Sequence, residues 1–415
     1  MAGLSIAERF DRTRLATVAD WLVVAVAVSL PWSTSATGIL LVLWLLALIP
    51  TLEWPDLRRE LMTPAGGLPV LLFLLGVLGM TWANVTLLER WEGLDSFFKL
   101  LVIPLLMAQF HRSDNGMRVF IGFLIACAAL LMVSWAGAIW PDLPRSSQNV
   151  GVPVKNYIVQ SVEFLLCLAV LLHVAIERAR DGRWTDAVIL FFFSMAFLVD
   201  ILFVATSRTT LVIIPVLAIL YALRQFDWKG IVATAGVVLV LAAAAWAASP
   251  YLRDRVAGVF SQTEVYETED VVTSTGERIV YWTKSVRFIK SAPLLGHGTG
   301  SITAMFRKAA IEQTGVRAEV PTNPHNQTFA VAIQLGLLGV AVLWAMWISH
   351  LAWFRGTGVV AWIGLIVVTQ NIVGSLFNSF LFDFTEGWLY VVGVGVAGGM
   401  TLKQRAAKGP NGDAL

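Results

Sequence analysis

Charged residues are scarce in this chain: they make up 14% of its 415 residues, about half the share found in soluble domains. Hydrophobic residues make up 57% and the mean hydropathy is +0.73. Apolar runs long enough to cross a bilayer recur along almost the whole length. Because a helix satisfies its own backbone hydrogen bonds in lipid, this composition predicts an all-α polytopic membrane protein.

Features that would indicate other classes of protein are also missing. The net charge is only +2 and no dense basic tract occurs, so we expect no nucleic-acid partner. Both cysteines, Cys127 and Cys167, fall inside apolar runs, which argues against a disulfide framework or a thiolate zinc site. No small-residue cleavage site follows the first apolar run, so we interpret that run as a retained helix.

Hydropathy predicts about twelve transmembrane helices, nine of them within residues 1–248 and three within residues 325–402. They lie at about 17–31, 36–50, 68–83, 97–110, 117–140, 157–176, 186–204, 209–224, 230–248, 325–351, 358–379 and 385–402. Several are short for a perpendicular crossing, so we expect local bilayer thinning or longer helices. The polar tail, 403–415, is predicted to be disordered.

The positive-inside rule predicts the orientation of these helices. Loops on one side, with both termini, hold far more cations than the short loops on the other side, so we place the first side in the cytoplasm. The cytoplasmic cations are Arg9, Arg12, Arg14, Arg58, Arg59, Arg112, Arg118, Arg178, Arg180, Arg183, Arg224, Lys229, Arg355, Lys403, Arg405 and Lys408. The outer short loops hold Arg90, Lys99, Arg145, Lys155 and Arg208.

One large segment, residues 249–324, remains on the outer side. It is too long for a simple connection and too rich in Trp, Tyr and Ile for a disordered linker. We therefore predict a partly helical loop outside the membrane. Its first part, residues 262–275, is acidic and is interpreted as a solvated loop without chemistry. The acidic residues are Glu264, Glu267, Glu269 and Asp270.

The predicted topology separates the five histidines. His111, His173 and His350 lie at cytoplasmic helix ends and are expected at the surface. Only His297 and His325 lie on the outer side. His297 belongs to a glycine-rich turn over residues 295–300, which could offer amide groups to an anion. A tight turn without a ligand is the favoured interpretation.

His325 opens the predicted tenth helix. Asn323 suits the N-cap and Pro324 the first turn, which puts His325 and Asn326 in that first turn. The positive end of the helix dipole disfavours a protonated imidazole, and a neutral imidazole can accept a proton. The alternative is a histidine that only caps the helix or lies at the membrane surface.

Residues 276–291 predict an amphipathic helix within the outer loop. Arg278 projects from the middle of its apolar face, where a partly buried arginine needs an anionic partner. Fraying at the helix start is the alternative. Lys284, Arg287 and Lys290 fall on the opposite face and are expected to be solvated.

Other candidate residues on the outer side also lie at the starts of predicted helices. Ser207 can cap the eighth helix and leaves Arg208 in its first turn, where a snorkelling arginine is the alternative. Lys155 and Asn156 open the sixth helix at its outer end. Because cations are rare in the outer short loops, Arg208 and Lys155 are candidates for binding an anion.

Carboxylates and amides near the spans complete the candidate set. Asp383 and Glu386 lie at the outer junction of the last two helices, where a carboxylate could orient His325. Asp200, Glu163 and Asn378 lie within or near the spans, where structural pairing is as common as function. No acidic or histidine cluster on the outer side has metal-ligand spacing, so we expect no metal and no cofactor. Arginines would then neutralise any phosphate leaving group.

These residues resemble those of bacterial O-antigen ligases, which carry a histidine, then Asn, Ser or Gln, and two glycines at fixed spacing after a large periplasmic loop. His325, Asn326, Gly336 and Gly339 match that spacing. The similarity extends to the turn over residues 206–208 and to Arg278, Trp282 and the glycine-rich turn at 293–300. It covers most of the chain from residue 155 onward, while the first 150 residues offer only hydropathy.

The resemblance implies a GT-C-like glycosyltransferase at the periplasmic face of a Gram-negative inner membrane. The donor would be a glycan on undecaprenyl diphosphate and the acceptor a sugar hydroxyl of lipid A–core. His325 would be the base, and Arg208, Arg278 and Lys155 would hold the diphosphate. Asn326, Asn156 and Asp383 are secondary candidates. The oligomeric state is left open.

Three other functions compete with this interpretation. An O-antigen polymerase would use the same donor, but such polymerases usually have two substantial periplasmic loops, whereas this chain has one. A protein O-oligosaccharyltransferase often carries a larger soluble appendage. A transporter or flippase predicts inverted halves and broken helices, which are not visible in this sequence.

Overall fold

The computed structural model describes residues 12–143, 149–248, 253 and 274–408, and within them the secondary structure is helical, with no β-strand. The sixteen α-helices described are α1 Arg12–Ser29, α2 Thr34–Leu48, α3 Trp54–Leu61, α4 Pro64–Gly79, α5 Leu87–Phe98, α6 Val102–Arg112, α7 Gly116–Ile139, α8 Tyr157–Arg180, α9 Trp184–Phe203, α10 Arg208–Gln225, α11 Trp228–Ala248, α12 Ser274–Ser291, α13 Ser301–Ala310, α14 Gln327–Trp353, α15 Val359–Gly374 and α16 Phe384–Lys408.

Each of the twelve predicted spans overlaps one of these helices. Among the described residues, seven helical stretches are long and apolar enough to cross a membrane, and α3 with α4 could form an eighth, bent by 83°. The all-helical, polytopic character is therefore confirmed, whereas the count of twelve spans stays a prediction. The seven stretches are Thr34–Thr51, Leu87–Arg112, Gly116–Ile139, Tyr157–Arg180, Trp184–Phe203, Arg208–Gln225 and Gln327–Trp353.

The outward faces of several helices are apolar. Leu46 of α2, Ile125 of α7, Phe192 of α9 and Leu223 of α10 are each more than 60% exposed. Water would make such a surface prone to association, whereas lipid tails solvate it. The exposed side chains thus agree with the membrane location that the composition indicated.

Ion pairs gather at the end of the bundle that the charge rule assigns to the cytoplasm. Arg112 lies 3.0 Å from Glu53, and Lys403 lies 2.5 Å from Asp114. The α16 helix extends to Lys408, so the prediction of disorder from residue 403 is wrong for 403–408. Residues 409–415, Arg9 and Arg145 lie outside the described part of the chain.

Two histidines expected at the surface are buried. His173 is 2% exposed and His350 is fully buried. The His350 ring contacts the Tyr390 hydroxyl at 2.5 Å and the Ala65 carbonyl at 2.7 Å. Because α14 packs against α4 and α16 is close by, this helix end is enclosed by neighbouring helices rather than by solvent.

The described part of the outer segment is largely helical and has a small core of its own. The rings of Tyr281 and Phe288 on α12 pack edge-on against Phe306 of α13, and this cluster continues to Ile333 of α14. Packing between α12 and α14 thereby fixes the loop above the start of α14. The acidic residues 264–270 lie outside the described residues.

The buried face of α12 differs from the predicted face. Lys284 was expected to be solvated but is 9% exposed, with its ammonium donating to the Arg317 carbonyl. Ile279 and Val286, which the amphipathic pattern places on the apolar face, are each 39% exposed. The 3-10 turn at Gly315–Ala318 covers the face that carries Lys284, which a single-helix pattern could not indicate.

Candidate functional site

The loop before α14 differs from the prediction. Asn326, not Asn323, is the N-cap, and its Oδ1 accepts from the Phe329 amide at 3.0 Å. His325 therefore precedes the helix, with φ of +53°, a left-handed conformation that non-glycine residues seldom adopt. Asn323 forms a turn instead: its Oδ1 accepts from the His325 amide at 2.8 Å and from Ser379 Oγ at 2.7 Å.

The imidazole of His325 is oriented by Asn378. His325 Nδ1 lies 2.8 Å from Asn378 Oδ1. Because an amide oxygen can only accept, Nδ1 carries the proton and Nε2 keeps its lone pair. A carboxylate of Asp383 or Glu386 was predicted to orient His325, but Nδ1 contacts Asn378 instead. Asp383 Oδ1 lies 3.5 Å from Asn323 Nδ2, and the Asp383 backbone carbonyl accepts from Lys99.

Aromatic residues of α12 cover the same histidine. The Tyr281 ring stacks on the imidazole with centroids 6.0 Å apart and planes 19° apart, and Trp282 Nε1 lies 3.4 Å from the His325 carbonyl oxygen. Burial lowers the pKa of His325, the Asn378 bond opposes this, and the Arg278 charge lowers the pKa further. We expected the helix terminus to keep the imidazole neutral, whereas burial is the largest cause of the lowered pKa.

Arg278 is held beside this histidine. Its Nε donates to the Phe377 carbonyl at 3.2 Å, so consecutive residues of one loop hold the guanidinium and the imidazole. Burial lowers the pKa of Arg278, while the nearby Tyr157 and Glu277 raise it. Since an arginine pKa is far above neutrality, the side chain stays cationic in a half-buried position.

The start of α8 connects this region to Arg208. Tyr157, the first residue of α8, lies close enough to influence the Arg278 pKa. One turn later, Ser161 Oγ lies 2.7 Å from Thr210 Oγ1 of α10. Arg208 is the first residue of α10, and Ser207 stands at the predicted N-cap position, although its side chain makes no capping hydrogen bond. The start of α8 therefore lies near Arg278 and is also hydrogen-bonded to α10, the helix that Arg208 begins.

Lys155 and Asn156 have structural roles at this helix start. Asn156 Oδ1 accepts from two amides of the first turn of α8. The Lys155 ammonium donates to the Leu30 carbonyl and, at 2.8 Å, to Thr385 Oγ1. Burial lowers the pKa of Lys155, and the carboxylates of Glu163 and Glu386 oppose that. Its charge is thus used within the bundle.

The first glycine of the motif, Gly336, has an unusual backbone conformation. Gly336 breaks α14 with φ of +63° and ψ of −161°, a conformation that only glycine adopts readily. The break lets the glycine-rich turn pair with α14: the His297 amide donates to Ile333, and the Leu337 amide donates to Pro293. A β-carbon at Gly336 would lie 2.3 Å from the Leu294 backbone. The motif therefore joins the outer loop to α14.

Three other candidates from the sequence, His297, Asp200 and Glu163, lie outside the group around His325. The ring of His297 contacts the Phe288 carbonyl at 2.9 Å, and the amides of its turn donate to protein carbonyls, so the turn offers no anion cradle. Asp200 accepts from Ser134 Oγ at 2.6 Å and from Gln160. Glu163 is buried, and its carboxylate oxygens have no hydrogen-bond partner in the described part of the chain.

Asn378 is the functional candidate that the sequence argument did not assign to the site. It was noted only as a polar residue near a span, and no local pattern connects it to a histidine 53 positions earlier. Within the described residues, no group of three or more His, Cys, Asp or Glu could hold a metal ion. The geometry offers, next to Arg278, a neutral imidazole whose protonated Nδ1 leaves Nε2 as the possible base, which suits proton removal beside an anionic leaving group.

Residues 193–344 match the model of a family described as O-antigen ligase. The matched stretch contains Arg208, Arg278 and His325, while Asn378 lies beyond its end. This match confirms the resemblance to the O-antigen ligase superfamily. It supports a membrane transferase of O-antigen ligase or polymerase type, with lipid-linked glycan substrates, in lipopolysaccharide biosynthesis. The comparison with curated proteins gave no match for this chain.

Proposed function

With the O-antigen ligase domain at residues 193–344 as premise, we propose that this protein transfers a polysaccharide from undecaprenyl diphosphate to a sugar hydroxyl of lipid A–core. The reaction takes place at the periplasmic face of the inner membrane and needs no metal ion. The observation that carries the proposal is the contact between His325 Nδ1 and Asn378 Oδ1. It leaves Nε2 as a base for the acceptor hydroxyl.

Proton removal begins the proposed reaction. His325 Nε2 takes the proton of the acceptor hydroxyl as its oxygen attacks the anomeric carbon of the donor sugar. The bond from that carbon to the diphosphate oxygen breaks, and undecaprenyl diphosphate leaves with the electron pair. One direct displacement inverts the anomeric centre. General-base assistance of this kind contributes roughly 10²–10⁴ in rate.

Arg208 and Arg278 stabilise the leaving group in this proposal. A guanidinium presents paired N–H donors that match two phosphate oxygens, and partial burial strengthens the attraction. Arg278 is half-buried and near His325, and Arg208 begins α10 beside the first turns of α8. Lys155, whose ammonium is bound within the bundle, acts on the site only indirectly.

The predicted orientation of the helices supports a site on the periplasmic side of the membrane. The ion pairs of Arg112 and Lys403 belong to the cation-rich set, which the charge rule assigns to the cytoplasm with both termini. The candidate site lies at residues that the same rule assigns to the outer side.

A ligase and a polymerase predict different lipopolysaccharide profiles in a strain that lacks this protein. Loss of a ligase leaves bare lipid A–core, with the polymer retained on its lipid carrier. Loss of a polymerase leaves core that carries a single repeat unit. The single large outer segment favours the ligase, and a single-unit profile on a gel would overturn that assignment. Complementation with the intact chain must restore the parental profile.

A further inference from the structure

A cavity of about 380 Å³ lies beside the His325 loop, between α5, α13 and the residues that precede α16. Asn323 and Pro324 form part of its wall, directly before His325, and Ser379 forms another part, directly after Asn378. Neither Arg208, Arg278 nor Lys155 lines this cavity. The cavity therefore borders the loop that carries the proposed base, although His325 does not line it, and it is separate from these three cations.

The lining of the cavity is polar and rich in carboxylates. Glu89, Glu92 and Asp383 line it together with one cation, Arg307, which lies 3.3 Å from Glu89. Burial, reinforced by the charge of Glu386, raises the pKa of Asp383 to about 7. Its carboxyl group can therefore both donate and accept hydrogen bonds near neutral pH. This excess of carboxyl groups repels phosphate and favours a ligand that offers hydroxyl groups.

Uncharged side chains add the chemistry that sugars need. The lining residues include Ser96 and Thr303, which carry hydroxyl groups, and Phe382, which carries an aromatic ring. A saccharide presents many hydroxyl groups and apolar ring faces, which such a combination of donors, acceptors and one aromatic ring can bind.

The stereochemistry of an inverting transfer requires two separate spaces. The acceptor oxygen attacks the anomeric carbon from the face opposite the leaving group. If the arginines hold the diphosphate, the acceptor must approach His325 from a region without these cations. The cavity meets this requirement and shares its wall with the turn that fixes the His325 backbone, since Asn323 Oδ1 accepts from the His325 amide.

We propose that this cavity binds an uncharged sugar of the acceptor saccharide and so positions its hydroxyl group for His325. The proposal rests on the transferase function described above. It excludes an acceptor sugar phosphorylated at the position that enters the cavity. It also implies that the donor polymer binds in a different part of the protein.

Filling the cavity tests the assignment in the purified full-length protein with lipid-linked donor and lipid A–core acceptor. Ser96→Trp should raise the KM for the acceptor by about tenfold or more, as expected for loss of one or more hydrogen bonds, and leave the KM for the donor almost unchanged. Gln313→Trp is the matched control, because Gln313 lines a different cavity of about 410 Å³. That control should keep both KM values.

A second variant keeps the test valid if Ser96→Trp does not fold. Glu92 is exposed on α5, so Glu92→Ala should preserve folding and still raise the acceptor KM several-fold. Glu92→Lys should in addition improve the use of an acceptor with a phosphorylated terminal sugar relative to the unmodified one.

Several outcomes would overturn the assignment. If the donor KM rises instead, the cavity binds the donor polymer. If folded Ser96→Trp and Glu92→Ala both keep the wild-type KM for the acceptor, the cavity binds no substrate. Failure of the proposed function looks different, because the wild-type protein itself would then transfer no glycan.

Discussion

His325 Nδ1 and Asn378 Oδ1 lie 2.8 Å apart, across 53 residues of sequence, and this contact decides which imidazole nitrogen can act as a base. The two residues belong to different loops, one before α14 and one before α16. A hydrogen bond between the Asn326 side chain and the Leu376 carbonyl, at 3.1 Å, keeps these loops together. The orientation of the base therefore depends on tertiary packing.

Variants of Asn378 should show whether this residue orients the imidazole of His325 or only contributes to folding. In Asn378→Ala the imidazole loses its acceptor, and kcat should fall by roughly 10² or more, as expected when a catalytic histidine loses control of its tautomer. Asn378→Asp keeps an oxygen at the same place and should retain much more activity. Purified variants with measured kcat and donor KM provide the comparison. Equal activity of Asn378→Ala and the wild-type protein would exclude the orienting role.

The pH dependence should reflect the lowered pKa of His325. A general base must be neutral, so activity is lost as the pH falls through its pKa. Burial and the charge of Arg278 lower that pKa from 6.5, so the acidic limb of kcat/KM should lie below pH 6.5. Arg278→Ala removes a like charge and should move the His325 pKa upward, while Arg278→Lys should leave it in place.

Carbethoxylation of His325 measures the same pKa without relying on turnover. The reagent reacts with neutral imidazole, and mass spectrometry of the peptide that contains His325 reports its rate at each pH. A midpoint for Arg278→Ala that equals or falls below the wild-type midpoint would contradict the electrostatic argument.

Phosphate recognition by arginine should not be replaceable by lysine. Arg208→Lys and Arg278→Lys keep the charge but lose the planar pair of donors. Each should impair turnover nearly as much as the corresponding alanine variant, by about tenfold or more, and each should weaken binding of undecaprenyl diphosphate. Lys155→Arg is a comparison outside the proposed phosphate contact. Close to full activity in Arg278→Lys would rule out bidentate binding there, and normal diphosphate binding by both alanine variants would move the site elsewhere.

Gly336 should be essential for stability and not for chemistry. Gly336→Ala forces a side chain into a conformation reserved for glycine and against the Leu294 backbone, which should cost about 3 kcal/mol or more. Gly38→Ala in α2 is the control, because a β-carbon there meets no atom within 4 Å. Thermal unfolding in detergent should show a lowered Tm for Gly336→Ala alone. An unchanged Tm would contradict the structural role.

The helices could be predicted from sequence because lipid-facing positions need apolar side chains over whole turns. All twelve predicted segments overlap a helix for this reason. Burial within the bundle could not be predicted the same way. His350 occupies a helix end that looks solvent-facing in the sequence, and its contacts with Tyr390, 40 residues later, and with Ala65 of α4 explain its burial.

The site was predicted in part. The motif spacing indicated His325, and the scarcity of cations in the outer short loops indicated Arg208 and Lys155. The amphipathic pattern of residues 276–291 indicated Arg278. The helix start was misplaced because Asn323 and Asn326 are equally good N-caps by local rules. Ser379 decides between them by donating to Asn323. Asn378 carried no local signal, and Asp383 was preferred because a carboxylate is the more familiar partner of a catalytic histidine.

The most direct measurement of the central claim is single-turnover glycan transfer by purified His325→Ala and His325→Asn, with donor binding measured in parallel. Asparagine tolerates the left-handed backbone at this position, so it controls for strain. We expect transfer to slow by roughly 10²–10⁴ in both variants, while Tm and undecaprenyl diphosphate binding stay near the wild-type values. A folded variant that transfers glycan at close to the wild-type rate would contradict the role of His325 as general base.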